Sequence, residues 1–225
     1  MRNPATFPQA LTLGIAGAIS TASPALAFPI TYTEQGMASG CLGATKTGST
    51  LTCPAGHAFT NATVMLTMTN DTTKVTGTPP SAPTLFENLG TVTVNVSGVG
   101  SATFTDAGME VFSEISPASP PLSPAAVGFS DITLGFDILD TVNPAFGAYQ
   151  LQTTIGPILD AATAPQFSPN VAFPITGGFF VLSGVDSMVT TFTASPSPAV
   201  PEPSSLALLG VALAGLGVIY RRKMS

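Results

Sequence analysis

The sequence has no tryptophan, one histidine, two cysteines and, between Arg2 and Arg221, no arginine. Each shortage closes off a class of function. A Ser-His-Asp triad would have to be built on His57, and no Gly-x-Ser-x-Gly elbow accompanies it. His-Glu-x-x-His, P-loop and dinucleotide fingerprints are missing as well, so no cofactor is expected. From residue 28 to 199 only Lys46 and Lys74 are basic, against eleven acids, a net charge of −9. Nucleic-acid binding needs clustered Lys and Arg to neutralise phosphates, and this body has none. Without tryptophan, an aromatic platform for stacking sugars is also weakened. Helical periodicity never lasts beyond two turns in this span, which excludes a helical bundle.

What is present clusters at a few places. Cys41 and Cys53 form an even pair in a segment read as exported, and an oxidising compartment makes a Cys41–Cys53 disulfide the default. His57, four residues after Cys53, raises a metal alternative, but the set lacks a fourth ligand and any Cys-x-x-Cys spacing. Asp131, Asp137 and Asp140 lie close in sequence, and paired carboxylates can in principle act on sugars. Alternation puts Asp131 and Asp137 on one strand face, where a solvated surface is the plainer reading. Threonines recur as Thr67/Thr69, Thr91/Thr93, Thr103/Thr105 and Thr191/Thr193. Such pairs could build a hydroxyl array of the ice-binding kind. They follow no fixed repeat, and threonine is simply a good residue for exposed strands.

The two ends carry addressing information. Residues 1–27 read as a signal peptide: Arg2, an apolar run from Ala10 to Ile19, then Ala25-Leu-Ala27 as the small-x-small cleavage site for signal peptidase. At the other end stand Val200, Pro201, Glu202 and Pro203, then an uncharged run from Ser204 to Tyr220, then Arg221, Arg222 and Lys223. The run of 17 residues would span about 26 Å as a helix, the lower edge of what crosses a bilayer. Three adjacent cations hold their side in the cytoplasm, so the body is expected outside. Ala207, Gly210, Ala214 and Gly217 would share one small-residue face suited to close helix packing in lipid. In this order, dock, helix and basic stop resemble the PEP-CTERM sorting signal of bacterial surface proteins. The resemblance implies recognition and cutting by an exosortase in a bacterium that makes extracellular polysaccharide, with Glu202 read directly. It covers about 25 residues and is silent on the body.

That body reads as all-β. Strands are expected at Phe28–Glu34, Ala58–Thr69, Met109–Ile115, Val171–Ile175, Gly178–Ser183 and Ser187–Ala194. The clearest hairpin is Thr91–Thr105, with Val92, Val94 and Val96 on one face. Gly36–Gly56 and Thr76–Pro83 read as loops. Ile132, Leu134, Phe136 and Ile138 alternate as a core strand, with Phe146–Thr154 as its hairpin partner. Ile155–Ala164 is a weak helical candidate. The whole fits a single β-sandwich, jelly-roll-like, over residues 28–194, and a barrel of the same strands would look identical in sequence. Residues 195–203 form a Pro-rich linker, 204–220 one transmembrane helix and 221–225 a basic cytoplasmic tail. The expected function is that of an exported, non-enzymatic surface or matrix protein sorted through its tail. A module binding polysaccharide or another surface ligand is the alternative. A secreted hydrolase and an ice-binding protein are the remaining readings.

Overall fold

A computed structural model describes residues 29–78, 84–115, 125–161 and 167–197. Among these residues there is no α-helix, and the architecture is two antiparallel sheets. The larger contains β1 (Pro29–Thr47), β3 (Ala58–Asp71), β6 (Thr93–Val96), β7 (Gly100–Thr103), β11 (Ile155–Leu159) and β13 (Gly178–Pro196). They run in the order β11-β13-β1-β3-β6-β7; β2 (Thr50–Thr52) pairs with β1, and β12 (Phe173–Ile175) pairs with β13. The smaller sheet has β4 (Thr76–Thr78), β5 (Leu85–Leu89), β8 (Met109–Glu114), β9 (Ala126–Asp131) and β10 (Phe136–Val142), in the order β10-β9-β8-β5-β4.

The core lies between the sheets, because each strand sends alternate side chains inward. Tyr32 from β1, Leu66 and Met68 from β3, and Phe192 from β13 meet Val111, Phe129 and Ile138 from the smaller sheet. The Val92, Val94 and Val96 alternation is realised, all three being buried. The hairpin strands β6 and β7 pair from Thr93↔Thr103 to Val96↔Gly100. Beyond β7 the large sheet curls until Phe104 bridges Ile175 of β12. Thr105 N–H donates to Pro174 O at 3.0 Å and Thr176 N–H to Thr103 O at 2.8 Å. Since β12 pairs back onto β13, that end is closed like a small barrel. Its plug is aromatic: Phe104 packs edge-on to Phe180 at 5.9 Å and Phe173 at 6.5 Å. Sandwich and barrel character thus coexist, one at each end.

Several local expectations are corrected. The Gly36–Gly56 stretch is not one loop, since β1 continues to Thr47. Its glycines serve close backbone approach instead: a Cβ on Gly40 would sit 2.1 Å from Val181 O. The alternating Ile132–Ile138 run is not one core strand. Ile132–Gly135 is the turn between β9 and β10, and Ile132, Leu134 and Phe136 are 49%, 37% and 46% exposed. Asp131 decides this, because its Oδ1 accepts from Thr133 N–H at 2.9 Å and Leu134 N–H at 3.1 Å, a bonding pattern that favours a turn over a ladder. The strand that fills the sheet is β9, Ala-Val-Gly-Phe-Ser-Asp, for which the sequence reading has no assignment.

Phe146–Thr154 is likewise no hairpin partner. Asn143 Oδ1 accepts from Ala145 N–H at 2.8 Å and caps a single 3-10 turn over Pro144–Phe146. The described part of Ile155–Ala164, residues 155–161, is not helical; it starts with β11, where Pro157 is tolerated because the strand lies at a sheet edge. Thr76–Thr78 is a short strand instead of loop. Gly178 to Ala194, read as two strands, is one long strand that runs on to Pro196.

Candidate functional site

Four features of the body bear on function, beginning with the cysteines. Cys41 on β1 and Cys53 just after β2 are joined in a disulfide, with Cα atoms 5.8 Å apart. It staples the β1–β2 hairpin, whose pairs run from Thr45↔Thr52 to Thr47↔Thr50. Both sulfurs are therefore unavailable as metal ligands. His57 is held separately, its Nδ1–H donating to Leu42 O at 2.7 Å. Among the described residues no group of three or more His, Cys, Asp or Glu side chains is arranged to hold a metal ion.

The acids are the second feature, and the expected solvated face holds for Asp137, which is exposed, but not for Asp131. Asp131 and Asp137 sit on opposite arms of the β9–β10 turn, and Asp131 and Asp140 are 0% and 3% exposed. Glu34 on β1 is fully buried between the sheets, its Oε1 accepting from Thr141 Oγ1–H at 2.9 Å. Burial, then the neighbouring Asp140 carboxyl, pushes Glu34 well above the usual range for a glutamate. Asp140 is raised well above its own range by burial and then by Asp137. Room for its carboxyl comes from Gly128, where a Cβ would lie 2.6 Å from Asp140 Oδ1. Glu110 is raised to about 7 by burial, although Ser130 Oγ–H donates to its Oε1 at 2.7 Å. Glu34 Oε2, Glu110 Oε2, Asp131 Oδ2 and Asp140 Oδ1 have no hydrogen-bond partner among the described residues. A buried oxygen without a donor favours the protonated, neutral carboxyl. Sequence reasoning singled out Asp131, Asp137 and Asp140, but Glu34 and Glu110 gave no signal in an alternating strand.

The third feature is the outer face of the large sheet. Register aligns Thr193, Thr33, Thr67, Thr93 and Thr103 in one row across five neighbouring strands. A second row holds Ser195, Thr31 and Thr69, and Thr31 and Thr69 share a hydroxyl hydrogen bond of 2.8 Å. A third row reads Thr191, Gln35, Met65, Asn95 and Ser101, with Asn95 Nδ2–H donating to Ser101 Oγ at 2.6 Å. The inward neighbours Tyr32, Leu66, Val94 and Phe192 are buried, so these rows turn away from the core. No charged side chain stands in any of the three. Thr91 and Thr105 lie outside them, just before β6 and just after β7.

The fourth feature is where the chain leaves the fold. Ser195 and Pro196, read as linker, are paired with Thr31 and Ile30. Ser197 N–H then donates to Pro29 O at 2.9 Å. The body thus reaches to within three residues of Pro201-Glu-Pro203. Ala25 and Ala27, Val200 to Pro203, the Ala207/Gly210/Ala214/Gly217 face, the expected helix over 204–220 and Arg221, Arg222 and Lys223 all lie outside the described residues. Among the described residues no helix is long and apolar enough to cross a membrane.

Residues 199–223 match the family model for the PEP-CTERM protein-sorting motif. The chain matches no curated protein and no solved structure. This is therefore an all-β body of two antiparallel sheets, and a PEP-CTERM sorting motif follows it after a single residue, Pro198. The motif implies an exported, membrane-anchored precursor that is processed by an exosortase.

Proposed function

We propose that the chain is an exported surface or extracellular-matrix protein whose body is non-enzymatic and reaches its destination through its tail. The observation that carries this is the sorting motif at 199–223, which begins two residues after Ser197 bonds back to Pro29. In this reading the body is delivered outside while Arg221, Arg222 and Lys223 stay inside, since clustered cations resist translocation. Signal peptidase removes residues 1–27. Cutting near Pro203 then detaches the body from its anchor, and Glu202, the one charge in the dock, is the group the enzyme reads.

The test follows one epitope placed before Pro201 and another placed after Lys223 in the producing cell. The two are expected to separate, the first at the surface or in the medium and the second in the membrane. Glu202→Ala, or loss of the exosortase, should keep both on one membrane species. If the epitopes stay together in wild-type cells that contain the enzyme, the tail is a plain anchor and the sorting reading fails.

A further inference from the structure

We propose that the threonine rows on the outer face of the large sheet form a binding surface for an uncharged, hydroxyl-bearing polymer, a neutral polysaccharide. The inference goes beyond the sorting reading and does not depend on whether the tail is cut.

Neighbouring strands lie about 4.7–4.9 Å apart, so the row from Thr193 to Thr103 spreads five hydroxyls over about 19 Å. Residues two apart along a strand are about 6.8 Å apart, which sets the spacing between rows. Each threonine hydroxyl can both donate and accept, and so can each hydroxyl of a sugar. Gln35 and Asn95 add amides with fixed donor and acceptor ends, and Met65 adds an apolar spot between them against which a sugar's C–H face can rest. Polymer recognition of this kind uses many weak contacts in parallel and needs no tryptophan platform.

Charge selects among polymers. The body carries −9, yet the rows themselves carry none. An anionic polymer would approach against the field of the whole body, whereas a neutral one is not opposed. Shape selects again. Strand twist averages about 20–25° per step, so the four steps across the row turn the face by roughly 80–100°. A flat lattice such as ice cannot follow that rotation, while a flexible chain can wrap along it. The same hydroxyls on a flat sheet would point to ice.

The test uses the full chain in a zwitterionic detergent without a sugar headgroup, run in native gels containing dextran, pullulan, laminarin or alginate. Retardation by at least one of the three neutral polymers is expected, with none by alginate. Thr33→Val with Thr67→Val should weaken that retardation at least tenfold, with the circular dichroism spectrum and melting temperature unchanged. The Ser pair at the same positions should restore binding, and Thr50→Val on β2 should leave it intact. Failure of all three neutral polymers to retard the protein overturns the proposal, and so does retardation that survives the Val pair. Threonine-dependent inhibition of ice recrystallisation without polymer binding would assign the face to ice instead.

Discussion

Single side chains set the limits of this fold where backbone or charge leaves no freedom. Gly40 is one. A methyl there would meet Val181 O at 2.1 Å, a backbone atom in a paired strand that cannot move aside. Gly40→Ala is therefore expected to destabilise the body by about 1–3 kcal/mol, the usual range for overpacking. At roughly 2–4 °C per kcal/mol for a domain of this size, the melting temperature should fall by several degrees. Glu34 is another. It accepts one hydrogen bond from Thr141, its second oxygen has no partner among the described residues, and burial favours its neutral form. Glu34→Gln keeps the shape and an acceptor while removing the acid. The variant should melt close to wild type at pH 5 and above it at pH 8. A variant that loses the same stability at both values would show that Glu34 acts through packing alone.

At the scale of elements, β1 and β13 dominate, each 19 residues long and paired almost end to end. The disulfide reinforces β1 where it leaves the sheet to form the β1–β2 hairpin. Closing a separation of 12 residues stabilises by about 3 kcal/mol in the chain-entropy model, and the existing hairpin pairs already restrain part of that loop. The Cys41→Ser, Cys53→Ser pair is expected to lower unfolding free energy by about 2–3 kcal/mol in urea, with the slope nearly unchanged. The far end of β13 makes a different prediction. Because pairing persists to Pro196 and Ser197, only residues 198–200 separate the fold from the Pro-Glu-Pro dock. If extended at about 3.1 Å per residue, three residues would reach about 9 Å. An enzyme gripping the dock would then have to work close to the body. Inserting eight Gly/Ser residues after Pro198 should speed tail removal in a pulse-chase experiment. An unchanged rate would mean that the enzyme tolerates the folded body at that distance.

Across the whole molecule, the buried acids impose an unusual pH dependence. An acid whose folded pKa lies above its unfolded value, about 3.9 for Asp and 4.3 for Glu, binds more protons in the native state. Between those two values stability falls as pH rises. Glu110, at about 7, places part of this loss between pH 4.3 and 7, and Glu34 and Asp140, also raised well above their ordinary range by burial, act in the same direction. The net charge of the body adds self-repulsion in the same direction. The protein is therefore expected to melt at a higher temperature at pH 5 than at pH 8, and calorimetry across that range checks it. Constant or rising stability toward pH 8 would mean that these carboxyls are ionised and partnered in the native state.

What the sequence determined by itself was whatever depends on local pattern. The Val92-Val94-Val96 alternation with a Gly-rich turn specifies a hairpin before any partner is known. An even cysteine pair in an exported stretch specifies a disulfide. The dock, apolar run and basic stop specify a sorting tail, because each part acts in linear order. Tertiary structure decided whatever depends on which strands become neighbours. Ile132, Leu134 and Phe136 have the pattern of a core strand, but Asp131 turns the chain there and only the sheet could reveal it. Glu34 and Glu110 look like surface residues in alternating segments until a second sheet or a neighbouring strand covers them. The scattered Thr-x-Thr pairs become rows only through the register of β13, β1, β3, β6 and β7. A one-residue slip in any of these strands would turn its hydroxyls inward, and that register is held by core contacts far apart in sequence.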